Sequence, residues 1–269
     1  VVSIFTSGGD MSIVGTRPPL ISETNLYEPH HKASPAVYYA AKAMKVPVVQ
    51  TIHNFRLLCP GATFYRDGHI CEDCVEHGLK CAVKHSCYRG SKAQTLACVL
   101  STWFHRMTGI YGKISYICLT DFNRNKLLEL KQVKSDKVFV KPNFVESIGK
   151  YIPEDQRKNQ FVFVGRLDKL KGIDTLFNAW EKLGERAPKL IVCGTGPMEE
   201  WCKKFLTNHK VNIEMKGFVS NIEARKLIAI SRALILPTRW YEGFPMGKQT
   251  MRVGKILGEY IFSRERTGI

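Results

Sequence analysis

The chain has 269 residues, room for one large or two medium domains, and its 44% hydrophobic and 24% charged content is ordinary for a globular protein. A net charge of +16 favours polyanionic partners, and nucleic acid, an anionic membrane surface and phosphorylated small substrates all fit it. No run of about 18 apolar residues occurs, so no membrane-spanning helix is expected. The opening Val1–Asp10 lacks a basic stretch followed by an apolar core, so no signal peptide is expected and the cytoplasm is the expected compartment. No initiating Met is present, so a natural start at Val1 is not expected.

Residues 1–32 show little pattern. Ser7-Gly8-Gly9-Asp10 and Arg17-Pro18-Pro19 are breakers, and the segment is expected to be a loop or partly ordered arm. A first β/α series spans residues 33–147. Val37, Ala40, Ala41 and Met44 recur at helical spacing, and Val48–Ile52 is a compact β-branched strand that delivers His53 at its carboxyl end. Five cysteines then crowd into 29 residues, Cys59-x11-Cys71-x2-Cys74-x6-Cys81-x5-Cys87. Cys71-Glu-Asp-Cys74 is a knuckle-like pair that can present two thiolates to one ion. Cys59 or Cys81, together with Cys87, would complete a tetrahedral zinc site. Reduced thiols or oxidation-prone pairs are the alternative. The set Cys59, Cys71, Cys74 and Cys87 is taken as the candidate structural zinc site within a Cys-rich loop, 59–87.

Ser91–Met107 is expected to be a helix burying Leu96, Val99, Leu100, Trp103, Phe104 and Met107. Tyr116–Leu119 and Val138–Val140 are strands, and Thr120-Asp121 caps the helix between them. Residues 146–159 are polar, with Gly149 and Pro153, and form the expected linker.

A second series spans 160–269. Strands are expected at Phe161–Val164, Lys189–Cys193, Ile213–Lys216 and Ala233–Leu236. Helices carry Ile173, Leu176, Phe177, Trp180 and Leu183, then Met198, Trp201 and Phe205, then Ile222, Leu227 and Ile230. Strands alternating with helices imply mostly parallel sheets with right-handed crossovers. After Met246 the pattern breaks: Leu257–Phe262 is at most one weak helix, and this domain is expected to be incomplete at its end.

Ligands of such sheets sit at strand carboxyl ends, beside helix N-termini. Arg166 and Lys171 flank one turn there, a planar fork and a point charge suited to a diphosphate. Gly165 opens that turn, Gly217 allows the close backbone approach a flat base needs, and Glu242 beside the Gly243 amide suits sugar hydroxyls and phosphate oxygens. Phe161-Val-Phe-Val-Gly-Arg-Leu-Asp-Lys-Leu-Lys-Gly172, Gly194-Thr-Gly-Pro197, Lys216-Gly-Phe218 and Glu242-Gly-Phe-Pro-Met246 together resemble the retaining GT-B glycosyltransferases of family 4. In the first half, Pro47-Val-Val-Gln-Thr-Ile-His-Asn-Phe-Arg-Leu-Leu-Cys-Pro60 and Cys87-Tyr-Arg-Gly90 resemble a bacterial branch of that group.

The resemblance implies two Rossmann-like parallel-sheet domains facing across a cleft. It implies transfer from a nucleotide-sugar donor to a glycan or lipid-linked acceptor with retention, in cell-surface polysaccharide synthesis, without a catalytic metal or other cofactor. Arg166 and Lys171 would bind the donor diphosphate, and Gly217 and Phe218 would lie by the base. Glu242 would meet the sugar with the amides of Gly243 and Phe244, and His53 would act from the first domain. Peripheral contact with the anionic inner membrane face is a further implication, and nucleic acid is not an expected partner. The family's Glu-x7-Glu pair departs here, with Thr250 where the second acid would stand, so weak activity or a non-catalytic fragment or scaffold of the same fold is the first alternative; a zinc-stabilised nucleic-acid-binding protein, suggested by the +16 charge and Cys71-x2-Cys74, is the second.

Overall fold

The computed structural model describes residues 2–7, 10–15, 35–142 and 152–241. The chain divides into two compact units, Val1–Pro142 and Asn143–Ile269. The division falls close to the expected linker, whose residues up to 151 lie outside the described residues.

In the first unit, strands β1 (Val2–Ser7) and β2 (Asp10–Gly15) precede helix α1 (Ala36–Ala43) and strand β3 (Val48–Ile52). A loop-rich excursion follows with β4 (Tyr65–Arg66), β5 (His69–Ile70), α2 (Asp73–Glu76) and α3 (Lys80–Lys84). Helix α4 (Lys92–Met107), strand β6 (Ser115–Cys118), helix α5 (Asp121–Leu128) and strand β7 (Val138–Val140) complete the unit. The sheet order is β2-β1-β3-β6-β7, parallel except for the antiparallel β1–β2 pair. The Thr120 hydroxyl caps α5, accepting the Asn123 N–H at 3.1 Å.

Two expectations are corrected here. The opening segment is not patternless, since Val2–Ser7 and Asp10–Gly15 pair antiparallel from Ser7↔Asp10 outward. Gly-Gly between β-branched runs is a hairpin signal, masked by the small Ser and Thr residues that break the alternation. Helix α4 turns the other way from the expected one. Leu96, Leu100, Trp103, Phe104 and Met107 are exposed, and Thr95, Val99, Thr102 and His105 are buried. The buried polar groups are satisfied: Thr95 Oγ1 donates to Ser91 O at 2.7 Å and accepts the Tyr88 N–H at 3.0 Å, and His105 Nδ1 meets Tyr39 Oη at 2.9 Å. A helix with apolar residues on two faces is turned by such bonds, not by its apolar count.

The second unit runs β8 (Lys158–Val164), α6 (Ile173–Leu183), β9 (Lys189–Cys193), α7 (Glu199–Asn208), β10 (Ile213–Gly217), α8 (Asn221–Ile230) and β11 (Ser231–Leu234). All pairs are parallel, in the order β10-β9-β8-β11. Phe163, Leu190 and Val192 pack with Ile173, Phe177 and Trp180 of α6 and with Cys202 and Phe205 of α7. Val162, Ile191, Cys193 and Leu234 pack with Ile228 of α8 on the opposite face. The chain therefore winds outward from β8 to β10 with helices on one face, then crosses back on the other to β11. The β8–β11 junction is the topological switch point, where an open α/β sheet binds ligands. The part of this domain from 242 onward, including the weak helix expected at 257–262, lies outside the described residues.

Candidate functional site

At the carboxyl ends of β8, β9 and β10, three turns are joined through their backbones. Gly165 N–H donates to Cys193 O at 3.0 Å, Leu167 N–H to Thr195 O at 3.0 Å, and Gly194 N–H to Gly217 O at 2.7 Å. This approach tolerates no side chains. A Cβ on Gly194 would lie 1.9 Å from Gly165 O, and one on Gly196 would lie 2.5 Å from Leu167 O. Gly194 also holds φ +139 and Gly217 φ +64, conformations that glycine adopts most easily.

Over these turns opens a cavity of about 510 Å³, bordered by Gly165, Arg166, Gly194, Thr195, Gly196, Phe218 and Asn221. Its size is that of a small-molecule pocket. Backbone and glycine form one side, and Phe218, 82% exposed, offers a flat apolar face. Asn221 opens α8, so the positive end of a ten-residue helix borders the space.

Asp168 organises the cationic turn. Its Oδ2 lies 3.4 Å from Arg166 Nε, and its Oδ1 accepts the Lys171 N–H at 2.8 Å. The Arg166 guanidinium remains 67% exposed at the cavity wall, and Lys171 Nζ stands 5.7 Å over the Trp240 ring. At the switch point the same turn is bound to the segment after β11. Arg239 N–H donates to Leu170 O at 2.9 Å, the Arg239 guanidinium lies 3.0 Å from Asp174, and a Cβ on Gly172 would lie 2.0 Å from Pro237 O. An anion and a flat ring are the ligand chemistries this arrangement suits.

Of the expected site residues, Gly165, Arg166 and Phe218 share the cavity, Gly217 holds the turn beneath it, and Lys171 stands at the far end of the Arg166 turn. Glu242, Gly243 and Phe244 lie outside the described residues, as does Thr250. His53 follows β3 in the first unit, and burial lowers its imidazole pKa, favouring the neutral form. Cys59, Cys71, Cys74 and Cys87 gather in the excursion after it, all as free thiols. Among the described residues no three His, Cys, Asp or Glu side chains form a ready-made metal shell, so an ion there would have to draw the thiols in. Asp168, Gly194 and Gly196 carry roles that the sequence pattern alone does not assign. Their signal lies in Arg166-Leu-Asp168 and Gly194-Thr-Gly196, where a short acid and paired glycines sit at strand ends.

Residues 144–247 match the model of the family described as glycosyl transferases group 1. The match falls within the second unit. An uncharacterized glycosyltransferase of Methanocaldococcus jannaschii is 36% identical over 109 residues, covering 39% of this chain and 26% of that protein. Anabaena HepE in complex with UDP superposes with a TM-score of 0.51 at 12% identity, over 80% of this chain and 54% of that one. A mutant of S. aureus TarM in complex with fondaparinux, alpha-GlcNAc-glycerol and UDP gives a TM-score of 0.50 at 17% identity, over 78% of this chain and 36% of that one. The fold is that of the GT-B glycosyltransferases. The chain spans little more than half of HepE and about a quarter of the archaeal relative. No helix among the described residues is long and apolar enough to cross a membrane.

Proposed function

We propose that this chain works as a glycosyltransferase, with a nucleotide-sugar donor held in the cavity at the ends of β8, β9 and β10. The observation that carries the reading is the backbone-joined glycine floor with the exposed Arg166 guanidinium beside it. In this reading Arg166 and Lys171 hold the donor diphosphate and stabilise the charge that grows on the departing nucleotide, the main catalytic term where no metal assists. The base lies against Gly217 and Phe218, Glu242 meets the sugar with the amides of Gly243 and Phe244, and His53 of the first unit helps to position it. UDP in the HepE and TarM structures makes uridine the first base to test.

The acceptor is a glycan or lipid-linked glycan, transfer proceeds with retention as in family 4, and the product belongs to cell-surface polysaccharide. The net charge of +16 suits a cytoplasmic enzyme at the anionic inner membrane face. With Thr250 in place of the second acid, the chain as it stands turns over slowly; turnover matching that of a full-length homologue would refute this. Calorimetric titration with UDP-, GDP- and ADP-sugars, on the chain and on Arg166→Ala, tests the site. One nucleotide should bind and lose at least about tenfold in affinity in the variant, the loss expected for one charged hydrogen-bonding partner. Binding to none of the three would leave the non-catalytic scaffold as the reading.

A further inference from the structure

The excursion after His53 lacks the means to hold itself by secondary structure. Its strands are two residues long and its helices four and five. Ala62, Phe64, Asp67, Ser86 and Arg89 all take positive φ there, a costly conformation for residues with a Cβ. Such a loop keeps one shape only if something over-determines it.

The thiols stand where that something would be. Cys59 and Cys87 flank Gly61 together, since a Cβ there would be in ordinary contact with Cys59 Sγ at 3.6 Å and Cys87 Cβ at 3.8 Å. Cys87 and Cys81 both pack against the cluster that holds Cys74, the charges of Cys59 and Cys87 would act on the Cys74 thiol, and that of Cys71 on Cys87. The Asp73 N–H acts on the Cys71 thiol, and the Ala82 N–H, which donates to Leu79 O at 3.1 Å, acts on the Cys74 thiol. Backbone N–H groups beside the sulfurs favour their thiolate forms, the forms that bind zinc. Arg66 lies against Cys71 and Cys87 and pairs with Asp73 at 3.1 Å, placing a cation beside thiolates that would otherwise repel. Cys74 and Cys59 are buried, and Cys74 packs with Leu79, Ala82 and Val99, leaving little room for water.

We propose that Cys59, Cys71, Cys74 and Cys87 hold one structural zinc ion that pins the excursion to the loop carrying His53. Each ligand binds as a thiolate and gives its proton to solvent, the four sulfurs closing to about 2.3 Å from the metal. Cys81 is left out as a second neighbour on α3. The link to His53 is short. Cys59 N–H donates to Phe55 O at 2.8 Å, Phe55 N–H to Ala62 O at 3.1 Å, and the Phe55 ring packs at a tilt of 45° with its centroid 5.0 Å from that of Phe64. This inference concerns only the first unit and does not rest on the donor site.

The test is metal analysis of the full chain purified from zinc-supplemented growth without chelator. One zinc per chain is expected, retained in Cys81→Ser and Cys202→Ser and lost in Cys74→Ser and Cys87→Ser. Because a ligand variant can simply misfold, the wild-type chain is also stripped and reloaded with Co(II). Tetrahedral d–d absorption with thiolate-to-cobalt charge transfer is then expected. Zinc below about a tenth per chain, with no tetrahedral cobalt spectrum, overturns the proposal. So does loss of the ion in Cys81→Ser with retention in Cys59→Ser, or a disulfide among these cysteines in the freshly purified chain.

Discussion

The two loop systems of this protein are held by opposite means. At the ends of β8, β9 and β10, turns are fixed by backbone hydrogen bonds between them, with glycine wherever two main chains meet. Side chains such as Arg166 and Phe218 are thereby left free to face a cavity. The excursion after β3 has the reverse logic. There the backbone takes strained conformations, and side chains do the holding: packed rings, the Arg106 guanidinium and clustered thiols. A site meant to admit a ligand is built from main chain, and a loop meant to stay closed is built from side chains.

The comparison breaks most severely at the glycines. Gly194→Val and Gly172→Val each drive a Cβ to about 2 Å from a carbonyl oxygen, and each is expected to cost about 3 kcal/mol or more. Gly217→Ala meets no atom within 4 Å and suffers only its positive φ, so it should cost about 1 kcal/mol. Denaturant melts of the three variants check the order, and equal losses would show that close approach is not what fixes these turns.

In the excursion, Arg106→Met removes the bond from its guanidinium to Leu57 O at 2.7 Å while keeping the apolar stem. A loss of about 1–2 kcal/mol is expected, seen as faster proteolysis near Leu57 with the second unit unaffected. Acid sharpens the contrast further. Burial lowers the imidazole pKa of both His53 and His105 from 6.5. The unfolded chain then binds more protons between the lowered values and 6.5, so stability falls as pH drops through that window. Denaturation at pH 7.5 and pH 5.5 should show the drop, and His105→Gln should reduce it.

The smallest effect belongs to the outward face of α4. Leu100→Gln and Trp103→Ser should each change stability by less than about 0.5 kcal/mol, because both residues are more than half exposed. A core-sized loss would restore the orientation that the apolar spacing favours.

That helix shows where the sequence stops being informative. The β/α alternation, the Thr120 cap and the strand ends at Gly165, Gly194 and Gly217 are legible because periodicity and glycine placement are local signals. The face of α4 is not, since Thr95, His105 and Arg106 turn it inward through bonds to Tyr88, Tyr39 and Leu57, partners distant in sequence or lying in loops. The β1–β2 pairing is hidden for a local reason instead, the Ser and Thr residues that break the apolar alternation. At the site, Arg166 and Lys171 stand out by charge, whereas Asp168 becomes visible only when its carboxylate is seen to join them.

The cavity at the ends of β8, β9 and β10 is the proposed donor site. Amide hydrogen exchange, run with and without a saturating UDP-sugar, tests it most directly. Slowed exchange is expected at 165–172, 194–196, 217–221 and 242–244, and, with the ligand lowered to near the wild-type Kd, most of it should be lost in Arg166→Ala. Protection that leaves these turns unchanged while appearing elsewhere, or that persists undiminished in the variant, would contradict it.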